Sequence, residues 1–130
     1  MTRIHCNLWS SVEHFSPEEF WCKCECNHVL IDMGLIYALE KLRYKAGNFA
    51  LRIVSGYRCA EYNKKCGGAK RSQHPLGRAA DILTRTLGRQ ERLFKAALTI
   101  PAIRGIGRYD RFLHIDVRLG RRASWDKRTP

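Results

Sequence analysis

The sequence predicts an α+β domain in which helices pack on one face of a small, largely antiparallel sheet. Three observations carry this. Apolar residues recur at helical spacing over about 32–46 and 91–99, and short β-rich stretches occur near 50–55, 79–83, 103–108 and 112–118. The 130 residues give room for one core. No repeat, low-complexity tract or linker interrupts the chain, so 1–130 reads as a single domain, with its core over about 15–125 and a frayed tail at 126–130.

Each element has a local cause. Ser16-Pro17-Glu18-Glu19 offers an N-cap hydroxyl, a proline at the first helical position and a glutamate able to close a capping box, so a short helix carrying Phe20 and Trp21 should follow. Leu35, Ile36, Leu39 and Leu42 form the apolar stripe of a core-facing helix over 32–46, with Gly47 as its stop. The run from Ala50 to Ser55 reads as a buried strand ending at Gly56, and a short helix covers 60–65. Gly67-Gly68 opens a loop that lasts to Gly77, and Pro75 biases His74 toward an extended backbone. A strand over 79–83 follows. Leu93, Phe94, Ala97 and Leu98 define a helix that ends before Pro101, and strands are expected at 103–108 and 112–118.

Lys and Arg number 24 against 12 Asp and Glu, giving a net charge of +12. With 45% hydrophobic and 28% charged residues, the composition excludes a disordered chain and a membrane span. Thr2, Arg3, His5 and Asn7 break up the start of the chain, so synthesis in the cytoplasm without a signal peptide is expected. The charge is uneven: residues 1–65 carry nine basic and seven acidic residues, or +2, and residues 66–130 carry fifteen and five, or +10. Such a surface concentrates polyanions, whether nucleic acid, anionic lipid or anionic cell-wall polymers. Nucleic acid is not expected, because no reading module or interleaved aromatic set accompanies the charge.

Only His74 and His114 of the five histidines fall in the basic half, and three of its five acids, Asp81, Asp110 and Asp116, lie within seven residues of one of them. Two imidazoles and one carboxylate are a ligand set that leaves zinc an open fourth position. The plainer alternative is a loop histidine and a hydrogen-bonded core histidine. The wider context favours the metal. Ser72-Gln73-His74-Pro75-Leu76-Gly77-Arg78-Ala79-Ala80-Asp81 resembles the S-x-H-x-x-G-x-A-x-D signature of the zinc D-Ala-D-Ala carboxypeptidase and endopeptidase family, which includes bacterial cell-wall peptidases and phage endolysins and has Hedgehog-like relatives. Ser55-Gly56-Tyr57-Arg58, Tyr62-Asn63 and Gly67-Gly68-Ala69 are similar to a second family segment. Gly105-Ile106-Gly107-Arg108-Tyr109, Phe112 to Arg118 and Ser124-Trp125 resemble its closing strands, and Phe15-Ser16 to Phe20 with Cys22 and Cys24 resemble its opening.

The resemblance implies a Hedgehog/D,D-peptidase-like fold, zinc ligands at His74, Asp81 and His114, and hydrolysis of amide bonds in peptidoglycan stem peptides or cross-links. Gly77 permits a tight turn between the first two ligands, and strand alternation puts Phe112, His114 and Asp116 on one face. Many members of the wider family place an acid three residues before the last histidine, and here that position is Arg111. Asp116 is therefore the first candidate for general base, with fixing the His114 ring as its alternative role. Asp110 is the next candidate. Arg58 would stand beside the metal, where it could hold a peptide carboxylate or a developing oxyanion. Ser72 and Gln73 could bond substrate or the metal shell, and Tyr109 and Trp125 could line the cleft or belong to the core.

All six cysteines, Cys6, Cys22, Cys24, Cys26, Cys59 and Cys66, lie in the first 66 residues. Three readings stay open: a Cys₄ zinc site completed by Cys6, disulfides such as Cys59 with Cys66, or buried free thiols. As a whole, the sequence suits a monomeric phage or prophage endolysin that reaches peptidoglycan with the help of a holin, its basic face drawn to anionic envelope polymers. The competing reading is a non-catalytic zinc-containing wall-binding or virion structural protein of the same fold, kept open by Arg111.

Overall fold

The computed structural model describes residues 9–24, 26 and 28–130. The Ser16 signal yields a 3₁₀ turn, Pro17–Phe20, closed by the expected capping box, with the Ser16 N–H donating to the Glu19 carboxylate at 2.8 Å. Phe20 is fully buried and anchors this opening segment. Helix α1, Met33–Ala46, begins at Asp32, whose carboxylate accepts the Gly34 N–H, and stops at Gly47, where φ is 125°. Strand β1 is Ile53–Ser55, helix α2 is Ala60–Lys65 and strand β2 is Ala79–Leu83. Helix α3, Leu87–Leu98, starts earlier than the apolar spacing suggests, because Thr86 caps it by accepting the Arg89 N–H. Strands β3, Gly105–Arg108, β4, Phe112–Asp116, and β5, Ala123–Asp126, complete the chain.

The strands form one sheet in the order β1-β2-β4-β3-β5. The sheet is mixed and not largely antiparallel, because β5 pairs parallel to β3. Residues 123–126 lack an apolar run, and only the resemblance of Ser124-Trp125 to the family's closing strands implied a strand there; the half-exposed edge strand is aligned by its approach. The Arg122 guanidinium donates to the carbonyls of Leu98, Ile100 and Ile103 at 2.8–3.0 Å, tying that approach to the end of α3. Beyond β5, the Lys127 N–H bonds the Arg108 carbonyl, and Thr129 bonds Asp110 through its backbone N–H and its hydroxyl.

Alternation along the strands sorts side chains into two faces. Ala80, Ile82, Ile106, Leu113 and Ile115 join Leu35, Ile36, Leu39 and Leu42 of α1 and Leu93 and Ala97 of α3 in one core. The intervening residues lie in two rows across the other face. Register sets Ser55, Asp81, His114, Gly107 and Trp125 side by side in the first row, and Ala79, Asp116, Gly105 and Ala123 in the second. Among the described residues, no helix is long and apolar enough to cross a membrane.

Candidate metal centre

The first row carries two of the three candidate metal ligands. Asp81 and His114 are direct cross-strand neighbours on β2 and β4, and His74 reaches them from the 3₁₀ turn His74–Leu76. Gly77 ends that turn in the left-handed region at φ 70°, and a Cβ there would strike the Leu30 carbonyl. All three candidate ligands are buried, at 3%, 3% and 8% exposure. His74 Nε2 lies 3.3 Å from Asp81 Oδ1, and His114 Nδ1 lies 3.0 Å from the same oxygen.

The partners of the other ring nitrogens decide the tautomers. His74 Nδ1 donates to the Gly56 carbonyl at 2.6 Å, which leaves its Nε2 with a lone pair. His114 Nε2 donates to Asp116 Oδ2 at 2.7 Å, which leaves its Nδ1 with a lone pair. Two lone pairs and a carboxylate oxygen then converge with no proton between them, an arrangement that a cation satisfies. Nitrogen and oxygen donors about 2.0–2.1 Å from one tetrahedral zinc stand about 3.3 Å apart, so the spacing fits. Without a cation a ring must take up a proton. Burial opposes this at His114, yet its bonds to Asp116 and Asp81 outweigh burial and raise its pKa. Burial likewise raises the Asp81 pKa, but the bonds from His114 and His74 prevail and hold it well below the carboxylate range.

Arg58 completes the far side of Asp81. Its Nη2 meets Asp81 Oδ2 at 3.1 Å, its Nε meets Ser55 Oγ at 3.0 Å, and its Nη1 meets Asn63 Oδ1 at 3.3 Å. A Cβ at Gly68 would collide with the Asn63 amide, which explains the need for glycine after Gly67. The ligand cluster opens on a cavity of about 580 Å³ lined by Arg58, Arg71, Arg118 and Lys127 among others. Asp81 is the one carboxylate among the described lining residues.

The remaining sequence candidates divide. Ser72, Gln73 and Tyr109 line the cavity, as does Trp125. Ser72 Oγ accepts the His74 N–H at 3.2 Å, and Gln73 Oε1 is buried with no partner among the described residues. Tyr109 stacks on Phe112 with ring centroids 4.4 Å apart, and its hydroxyl accepts the Trp125 indole N–H at 2.9 Å. The two candidate bases lie elsewhere. Asp110 is exposed and holds Thr129. Asp116 is fully buried behind His114, outside the lining, and accepts Arg118 Nε at 2.9 Å and Nη2 at 2.7 Å.

Sequence reasoning missed Arg118 as a partner of Asp116, and Gly105 and Gly107 as the residues that make room. A Cβ at Gly105 would overlap the Asp116 carboxylate, and one at Gly107 would overlap the Trp125 indole. The G-x-G spacing on β3 was the available signal, since period-two glycines bare one face of a strand.

A family model, Peptidase M15, matches residues 13–116, which include His74, Asp81 and His114. The chain belongs to the peptidase M15 family. That is the zinc D-Ala-D-Ala carboxypeptidase-like family, so membership supports a metallopeptidase, and zinc is the metal its members typically use. No curated protein matches the chain. Of the three cysteine readings, the structure speaks against one, the disulfide. Cys6 lies outside the described residues, and a Cys59–Cys66 disulfide is not formed: both are free thiols, and the Cys59 sulfur packs 3.6 Å from that of Cys24.

Proposed function

We propose that this M15 protein is a zinc-dependent peptidase that hydrolyses amide bonds in peptidoglycan stem peptides or cross-links, in a lytic role of the endolysin type. The observation that carries the reading is the convergence of His74 Nε2, Asp81 and His114 Nδ1 at the wall of a cavity whose other charged lining residues, among those described, are all cations. Zinc held by these three residues supplies Lewis acidity, polarising a peptide carbonyl and making water nucleophilic near neutral pH.

The chain's own residues do the rest. Gly56 and Asp116 fix the tautomers of His74 and His114, so both rings present lone pairs in one place. Arg58 neutralises the outer oxygen of Asp81 and keeps free N–H groups that can bind a substrate carboxylate or the oxygen that gains charge. Gln73 Oε1, buried and unpartnered, is suited to accept a substrate amide N–H, and Tyr109 with Trp125 supplies an aromatic wall. Stem peptides carry free carboxylates, and Arg71 and Lys127 on the lining suit them. The contacts of Asp116 favour its role as the residue that orients His114. The +12 charge draws the protein to anionic envelope polymers.

Purified sacculi incubated with the zinc-loaded protein should release fragments whose masses identify the bond cut, and a chelator should abolish the release. Absence of any zinc-dependent fragment would overturn the reading. One observation favours a non-catalytic wall-binding or virion protein instead: among the described residues, no carboxylate other than Asp81 lines the cavity, and Arg111 occupies the position of the family's usual acid. Retained binding to sacculi with no fragment release would select that reading.

A further inference from the structure

Four cysteines meet at a place the peptidase reading does not use. Cys22, Cys24 and Cys26 lie on the segment after the Pro17–Phe20 turn, and Cys59 is the residue that caps α2. Cys22 and Cys24 have their sulfurs 3.3 Å apart, Cys24 and Cys59 3.6 Å, and all four sulfurs lie within 4.8 Å of one another. Disulfide sulfurs stand about 2.05 Å apart, so these contacts are not bonds. Four thiolates about 2.3 Å from one tetrahedral zinc stand about 3.8 Å apart, which the observed spacing matches.

The backbone supplies a second, independent observation. Each sulfur accepts one amide N–H at 3.4 Å: Cys22 from Cys59, Cys24 from Cys26, Cys26 from His28, and Cys59 from Tyr62. N–H groups aimed at sulfur favour the thiolate over the thiol. Four thiolates in contact repel one another unless a cation sits among them.

We propose that Cys22, Cys24, Cys26 and Cys59 bind a zinc ion of their own, separate from the one at His74, Asp81 and His114. Soft thiolates in a tetrahedral set select zinc over hard cations such as magnesium. With four protein ligands no position is left for water, so the ion is structural. It clamps the opening segment onto the start of α2. Cys59 directly follows Arg58, so the same clamp fixes the loop that brings the guanidinium to Asp81. The sequence offered Cys6 as the fourth ligand, and the fold instead brings Cys59 from 35 residues beyond Cys24.

Metal counting on the full chain tests this independently of peptidase activity. Native mass spectrometry should find two zinc ions in the parent chain and one in the His74→Ala/His114→Ala variant. With cobalt in place of zinc, that variant should retain the thiolate-to-metal charge-transfer absorption, which Cys24→Ser/Cys59→Ser should lack. If the cysteine variant fails to fold, alkylation of the parent chain decides the matter. Cys66, exposed, should react at once, and Cys22, Cys24, Cys26 and Cys59 only after chelation. A single zinc in the parent chain with Cys22, Cys24, Cys26 and Cys59 reacting as fast as Cys66 would overturn the proposal, as would a disulfide among the four or iron in place of zinc.

Discussion

Asp116→Asn separates two roles for one carboxylate. Asparagine keeps the shape and one acceptor oxygen but removes the charge that meets His114 Nε2 at 2.7 Å and Arg118 at 2.7 and 2.9 Å. Loss of an orienting partner costs metal affinity by about 10–100-fold, or about 1.4–2.7 kcal/mol. Folding stability suffers separately, because breaking a buried ion pair costs about 3–5 kcal/mol when the other charge stays buried. Arg118 has a side chain 25% exposed and can turn to water, which puts the expected loss near the low end, about 3 kcal/mol. Zinc competition against a chromophoric chelator reads the first quantity, and chemical denaturation the second. Sacculus digestion at saturating zinc then reads turnover. Orientation predicts weakened zinc binding with turnover restored once zinc saturates. A general base predicts the reverse: zinc affinity near that of the parent, and turnover down by about 10²-fold or more at saturating zinc. That second pattern would refute the assignment of Asp116 to His114.

Three further outcomes follow from the same geometry. Gly105→Ala inserts a methyl group where the Asp116 carboxylate sits, so it should cost about 1–3 kcal/mol of stability and weaken zinc binding; an unchanged melting temperature and zinc affinity would show that this close approach is not required. Amidating the carboxylates of a stem-peptide substrate should raise KM by about tenfold or more, since a charge-assisted hydrogen bond contributes about 1.5–3 kcal/mol. Equal KM for both forms would remove the cationic lining from substrate recognition. The Thr129 hydroxyl and N–H hold the Asp110 carboxyl below its ordinary value. Its contribution to stability is therefore present above the unfolded value of about 3.9 and lost as pH falls through the lower folded value. Thr129→Val should move the Asp110 titration upward in an NMR pH series, and coincident titrations in parent and variant would exclude the contact.

The candidate ligand set came from motifs that resemble the family's, and local signals agree with it: a glycine turn after His74, a strand beginning at Ala79, and alternation that puts His114 and Asp116 on one face. The core followed from periodicity, itself a local signal. What stayed hidden depends on pairing across the sheet. Alternation tells which face Asp116 occupies but not which way its oxygens turn, and that is decided by Gly105 opposite it and Arg118 two residues on. Strand β5 carries no apolar pattern of its own, and the carbonyls that hold Arg122 at the end of α3 align it. Cys59 joins Cys24 only because the opening segment lies against the loop before α2, where the Tyr57 N–H bonds the Phe20 carbonyl.

The basic half of the chain now has a physical arrangement. Its five acids all have partners: Asp81 with His74, His114 and Arg58, Asp116 with His114 and Arg118, Glu91 with Arg108, Asp126 with Arg128, and Asp110 with Thr129. Two of them neutralise arginines of the cavity, but none reaches Arg71 or Lys127, which among the described residues pair with no carboxylate. A carboxylate bound in the cavity would displace no ion pair at those two positions, and because both side chains are exposed the attraction it gained would be a screened one. Arg58 and Arg118 differ, because each already holds an aspartate tied to the metal centre. Mutating Arg71 or Lys127 should consequently weaken substrate binding and leave zinc affinity intact, whereas mutating Arg58 or Arg118 should disturb both, and the ratio of the two effects measures how far recognition and the metal centre are coupled.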